Sequence, residues 1–190
     1  HTALDLHDRK CDLNLARLHK AGIKGVRTVS GDACELDEVL TSFDAMLGER
    51  VKFDTVFIDA PCSGTGTMRR HPEIPWRLTE NDVTTELPKL QLTMLKEAAA
   101  RVAAGGELIY ATCSVFDEEN TQVVDAFLAS PEGEGFFVEP LSEAQILQFP
   151  EFEQAKKLVS VRQNDRGLFQ SVPTNADSYD GHFCARLVRN

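Results

Sequence analysis

The chain has 190 residues, 42% hydrophobic and 26% charged, the composition of one ordinary globular domain, which excludes a collagen, a coiled coil and a disordered tail. Acidic residues outnumber basic ones 30 to 20, a formal charge of −10, so the chain as a whole repels a phosphate backbone and a nucleic-acid partner must be held by local patches. No apolar run approaches the ~20 residues of a membrane-spanning helix, and the opening His1-Thr2-Ala3-Leu4-Asp5 lacks the basic-then-apolar order of a secretory signal, so a soluble, unexported protein is expected. The five cysteines (Cys11, Cys34, Cys62, Cys113, Cys184) are scattered and include no Cys-x-x-Cys pair, which speaks for reduced thiols in a cytoplasm rather than a disulfide framework or a zinc site.

Thr2-Ala3-Leu4-Asp5-Leu6 reads as a short strand ending in an acid. Asp8 is placed to cap an amphipathic helix with Cys11, Leu15 and Leu18 on one face, and Gly22 to stop it. A second strand over 25–29 runs into Ser30-Gly31-Asp32-Ala33, and a weaker helix over 36–47 follows. Phe53-Asp54-Thr55-Val56-Phe57-Ile58-Asp59 is a third strand, apolar enough for cover on both faces and again ending in an acid and a loop. Residues 61–88 make a Gly/Pro-punctuated connection carrying Arg69, Arg70, His71, Trp76 and Arg77, too long for a passive linker. A helix over 90–103 is expected to stop at Gly105-Gly106, before a fourth strand over 107–112 that ends at Cys113. A helix over 117–129, a strand over 136–139, an irregular stretch and a closing strand over 182–188 complete the chain, with no internal repeat. Strands alternating with helices, with acids or cysteines at strand carboxyl ends, describe an open α/β sheet whose ligand site lies along that edge.

Two loops carry the chemistry. Asp59-Ala60-Pro61-Cys62-Ser63-Gly64-Thr65-Gly66 turns from a strand end through a rigid proline and permissive glycines, and Ala111-Thr112-Cys113-Ser114 also follows a strand directly. Two thiols from neighbouring strand ends could face one pocket, which suggests thiol chemistry, although a cysteine standing alone is more often a small buried hydrophobe. Asp5 and Asp32, read singly, could equally be loop aspartates or helix caps. Arg69, Arg70 and His71, with Trp76 and Arg77, offer cations and an aromatic face for RNA or else form ordinary solvated surface. The histidines form no metal-ligand spacing, so no metal is expected.

Asp59 to Gly66, Arg69-Arg70-His71-Pro72, Thr112-Cys113-Ser114 with Glu118-Glu119-Asn120, and the closing Asp180-Gly181-His182-Phe183 resemble, in order and spacing, the Sun (Fmu) family of RNA cytosine-5 methyltransferases. His182 departs from that family's final motif, which has phenylalanine there. The resemblance implies a Rossmann-like class I methyltransferase sheet, mostly parallel with an antiparallel last strand, and S-adenosylmethionine as cofactor. It implies RNA as partner, ribosomal ahead of transfer RNA, with neither membrane nor metal. By the same resemblance Cys113 is the nucleophile that adds to carbon 6 of cytosine, Cys62 removes the carbon 5 proton, and Asp59 bonds the base edge and lines the cofactor pocket. Asp5 then matches the acid on the cofactor ribose and Asp32 the acid beside its adenine. Arg69, Arg70 and His71 are the RNA-binding residues.

The family's Gly-rich cofactor loop, which would precede Asp5, has no counterpart in the sequence. Residues 1–190 are therefore expected to be a single, N-terminally incomplete catalytic domain whose sheet lacks its first, central strand, between the strands ending at Asp5 and Asp59. A non-catalytic RNA-binding or assembly module retaining this fold is the rival reading. A cysteine hydrolase would need a histidine oriented beside a cysteine, and none is identifiable.

Overall fold

The computed structural model describes residues 1–141, 163–173 and 179–190, which fall into two compact units, His1–Lys52 and Phe53–Asn190. Most of the irregular stretch expected before the closing strand lies outside the described residues.

In the first unit β1 (Thr2–Asp5) and β2 (Arg27–Ser30) pair in parallel, with Asp5 opposite Ser30. Helix α1 (Asp8–Lys20) connects them. It turns Cys11 inward, with Leu15 and Leu18 half-buried on the same face, as the periodicity predicts. The helix ends in a Schellman motif at Gly22, whose φ of +75° suits glycine; Gly22 N–H donates to His19 O and Ile23 N–H to Leu18 O. Asp8 is not the cap. His7 holds that position, its N–H donating to Asp5 Oδ1 at 3.0 Å, while Asp8 lies in the first turn, where its charge favours the helix N-terminus. The single helix expected over 36–47 is broken into α2 (Leu36–Val39) and α3 (Thr41–Leu47), preceded by a 3₁₀ turn at Ala33–Glu35. The break falls at Leu40, whose side chain is buried and whose backbone leaves helical geometry at φ −93°, ψ 0°.

The second unit is a five-stranded sheet: β3 (Phe53–Asp59), β4 (Val102–Thr112), β7 (His182–Arg189) and β5 (Phe136–Val138) in that order, with β6 (Phe169–Ser171) also on β7. β3 and β4 are parallel; β7 runs against β4, β5 and β6, so the last strand alone is reversed. The long connection folds into a 3₁₀ turn, a short helix α4 (Ile74–Arg77) and a π-helical turn at Asp82–Glu86 that leads into α5 (Leu87–Ala99).

Gly105-Gly106 does not stop α5, which ends earlier. The pair lies inside β4 at a bulge, where Phe53 opposes Val102 but Thr55 already opposes Glu107. Gly105 has φ +72° there, and a Cβ on Gly106 would stand 2.8 Å from Asp54 O. The helix expected over 117–129 is likewise split, into a 3₁₀ turn at Asp117–Glu119 and α6 (Thr121–Leu128), because Asn120 is drawn out of helical geometry by bonds to the Cys113 loop. Leu95, Val102, Leu108, Tyr110, Val124, Phe127 and Leu187 fill the core. Among the described residues β3 buries Ile58 on one face and leaves Phe57 62% exposed on the other, where cover on both faces is expected from the sequence.

Candidate active site

Parallel pairing of β3 with β4 puts Asp59 opposite Ala111, so the two loops leave the sheet side by side. Ala60 N–H still donates to Ala111 O, and Gly66 N–H donates to Cys113 O at 2.8 Å. Cys62 Sγ and Cys113 Sγ consequently lie 3.2 Å apart, and the Cys113 backbone N–H donates to Cys62 Sγ at 3.3 Å. The juxtaposition of thiols expected from the sequence is thus present. The hydrogen bond from Cys62 pulls the Cys113 thiol down to about 7, although burial and the charges of Asp59 and Glu119 push it upward. The same bond, with burial and the charge on Cys113, pushes Cys62 far up. The pair therefore releases one proton near neutrality, leaving the charge on Cys113 and the remaining proton on Cys62.

Beneath the sulfurs runs a buried polar network that the sequence did not reveal. Glu119, fully buried, accepts hydrogen bonds from Ser63 N–H (2.8 Å), Ser114 O–H (2.7 Å) and the Gln91 amide (3.0 Å), and Gln91 also donates to Pro61 O. Thr65 Oγ1 accepts from Val115 N–H, and Ser63 Oγ and Ser114 Oγ are 3.1 Å apart. Asn120 accepts from Thr112 O–H and donates to Ser114 O. The available signal was Glu118-Glu119-Asn120, legible as part of a motif but silent about which member turns inward.

The remote closing motif supports the same loop. Gly181 N–H donates to Gly66 O at 2.8 Å, and a Cβ on Gly66 would meet Gly181 O at 2.2 Å, so only glycine fits this approach. Arg70 bonds the Asp180 carboxylate at 2.7 Å through Nε, and Arg69 lies 3.9 Å from it. Arg70 holds the Asp180 carboxyl below its usual range. His71 pairs with Glu73. Arg69, Arg70 and His71 are all at least half exposed, as is Trp76 at 89%. His182, the departure from the family motif, is exposed at the start of β7.

Asp59 is exposed at the end of β3, close enough to Cys113 to oppose its ionisation. In the other unit Asp5 ends β1 and Asp32 follows β2 by two residues, both at the carboxyl edge of that parallel pair. Asp5 lies 3.8 Å from Lys10 Nζ, and Asp32 accepts from Cys34 N–H. Carboxylates at such an edge are suitable acceptors for hydroxyl and amino groups, so their chemistry fits the ribose and adenine of a nucleoside cofactor. All five cysteines are free. Among the described residues no cluster of three metal-ligating side chains occurs, and no helix is long and apolar enough to cross a membrane.

Residues 2–188 match the family described as 16S rRNA methyltransferase RsmB/F. Ribosomal RNA small subunit methyltransferase B of Pectobacterium atrosepticum is 36% identical over 138 residues, 73% of this chain and 27% of that protein. The same-named protein of Klebsiella pneumoniae is 46% identical over 84 residues, 44% of this chain and 19% of that one. The chain thus spans between a fifth and about a quarter of these relatives' length. Among solved structures, that of PH0851 is 29% identical with a TM-score of 0.74, covering 98% of this chain and 36% of that one. NSun6 from Pyrococcus horikoshii, solved with SFG, shares the fold at 20% identity and a TM-score of 0.70, covering 99% of this chain and 41% of that one.

Proposed function

The chain belongs to the RsmB/F family of 16S rRNA methyltransferases, and from that premise we propose that it takes part in methyl transfer from S-adenosylmethionine to carbon 5 of a cytosine in ribosomal RNA, through a covalent adduct on Cys113. We read both units as parts of one catalytic domain, because the family match runs through both, and as cytoplasmic, where its free thiols stay reduced.

The observation that carries the proposal is the 3.2 Å contact between a thiol pulled down to about 7 and a thiol that keeps its proton. Carbon 5 of cytosine is a poor nucleophile. The Cys113 thiolate adds to carbon 6, and the electron pair of the ring double bond moves toward carbon 5. S-adenosylmethionine, when bound, supplies the electrophilic methyl group that carbon 5 takes up. Once the Cys113 sulfur is bonded to carbon, the hydrogen bond to its thiolate and the charge that raised the Cys62 pKa are both gone, so Cys62 releases its proton to solvent and can act as base. Cys62 then takes the carbon 5 proton, the ring double bond re-forms, and the Cys113 thiolate leaves.

Asp59, exposed at the end of β3 and felt by Cys113, would bond the amino edge of the base. Asp5 and Asp32 would hold the ribose and adenine of the cofactor. Arg69, Arg70 and His71 would contact RNA phosphates with their exposed faces while Asp180 and Glu73 orient them.

The test uses the complete protein with ribosomal RNA and S-adenosylmethionine. Cys62→Ala should accumulate a protein–RNA adduct that survives a denaturing gel, and adding Cys113→Ala should remove it. An adduct formed by Cys113→Ala alone, with Cys62 intact, reverses the two roles, and one that survives loss of both cysteines rules out either as nucleophile. No adduct and no methyl transfer in the wild type would leave an RNA-binding module on this fold.

A further inference from the structure

We propose, on the basis of the two-thiol reaction above, that Glu119 is a positioning residue: its one carboxylate clamps the residue that follows each cysteine and places a negative charge behind Cys113. Ser63 follows Cys62 and donates its backbone N–H to Oε2; Ser114 follows Cys113 and donates its hydroxyl to Oε1. The two loops come from different strands, yet they are tied to opposite oxygens of a single group that is wholly excluded from solvent. Gln91, also fully buried, fixes the carboxylate from behind and holds Pro61 O at the entry to the Cys62 loop. Sulfur-to-sulfur contact therefore rests on the reach of this side chain as well as on the backbone pairing of the two loops.

The donors are an amide, a hydroxyl and a carboxamide, and none is a cation. A buried carboxylate held only by neutral donors costs more than a carboxamide at the same place would, and the local charge-assisted bonds offset that cost. Its charge acts on the reaction. Cys62, Asp59 and Glu119 are the groups that act on the ionisation of Cys113, and both carboxylates oppose a thiolate there. Formation of the sulfur–carbon bond takes that charge off the sulfur, so both carboxylates favour the adduct over the free thiolate.

Two variants of the complete protein separate reach from charge. Glu119→Asp keeps the charge and is one methylene short; Glu119→Gln keeps the length, since its amide can accept from Ser63 and donate to Ser114 Oγ, and loses the charge. The first readout is the rate at which diamide closes Cys62 and Cys113 into a disulfide, the two thiols giving up two protons and two electrons as the azo group becomes a hydrazine. The second is the pH profile of Cys113 alkylation by iodoacetamide, located by peptide mass spectrometry. Glu119→Asp should slow closure on the order of tenfold or more, because misplacement of about an ångström is expensive for oriented groups. Glu119→Gln should move the alkylation midpoint below that of the wild type and, at a pH above both midpoints, close at about the wild-type rate. Wild-type closure in a folded Glu119→Asp variant, or an unmoved midpoint in a folded Glu119→Gln variant, overturns the assignment. Loss of the fold in both makes Glu119 a core residue only and overturns it too. Neither readout involves RNA or cofactor, so failure of methyl transfer with these thiol responses intact would count against the proposed activity and not against the clamp.

Discussion

Within His1–Lys52 the buried apolar side chains are Cys11 and Leu40, whereas Phe53–Asn190 buries Leu95, Val102, Leu108, Tyr110, Val124, Phe127, Ala185 and Leu187 to 2% exposure or less. The buried polar side chains among the described residues, Glu119, Asn120, Gln91, Ser63 and Ser114 among them, also lie in the second unit. The first unit rests on a two-stranded pair with α1 packed on it and the short helices α2 and α3 following, a size that is marginal on its own. The division suits the tasks proposed for each. Carboxylates that accept from hydroxyls tolerate some play, while two sulfurs that must act in turn on one ring need a stiff support.

The sharpest test of this contrast is paired truncation. Leu95→Ala, at a site without solvent exposure, should cost about 2–5 kcal/mol in urea unfolding, and Leu15→Ala, on the half-exposed face of α1, below about 1 kcal/mol. Equal losses would mean that the two units share one cooperative core. Gly66→Ala forces a Cβ against the Gly181 backbone rather than against a movable side chain, so it should cost about 1–3 kcal/mol and slow alkylation of Cys113. Stability unchanged by that substitution would show that the loop can slide away from β7.

Hydrogen exchange resolves the contrast strand by strand. Amides of β1 and β2 should exchange at least about tenfold faster than those shared by β4 and β7, and equal protection would dissolve the distinction. The smallest effect belongs to Asp180. Arg70 depresses its folded-state pKa, so the stability it adds is present above the ordinary aspartate value of 3.8 and is lost as pH falls through the lower folded value. The gap between wild type and Asp180→Asn should accordingly be seen at neutral pH and close in acid. A gap that widens in acid would mean that this ion pair does not stabilise the loop.

Much of the sheet could be read from the chain. β3 is the predicted strand, 53–59, because a continuous Val/Phe/Ile run bounded by an acid and a proline has few alternatives. The paired cysteines were legible as strand-end loops, and parallel pairing supplied their proximity. Gly105-Gly106 reads as a helix stop because a glycine that ends a helix and one that bulges a strand have the same local signature; the opposing Asp54 decides, and it is distant in sequence. Asn120 interrupts its helix for bonds to Thr112 and Ser114 that no helical periodicity encodes. Strand β6 and the tie from Arg70 to Asp180 were equally invisible, being partnerships across a long sequence separation.

The close approach of Gly66 to Gly181 also bears on when, during synthesis, the site can come into being. A nascent chain can form β3 and β4 soon after they emerge, but the Cys62 loop lacks its backing until Gly181 and β7 have left the ribosome and threaded between β4 and β5. The backed pair of thiols therefore forms only after β7 has taken its place. Until then Cys62 and Cys113 are ordinary cysteines on an unfinished sheet.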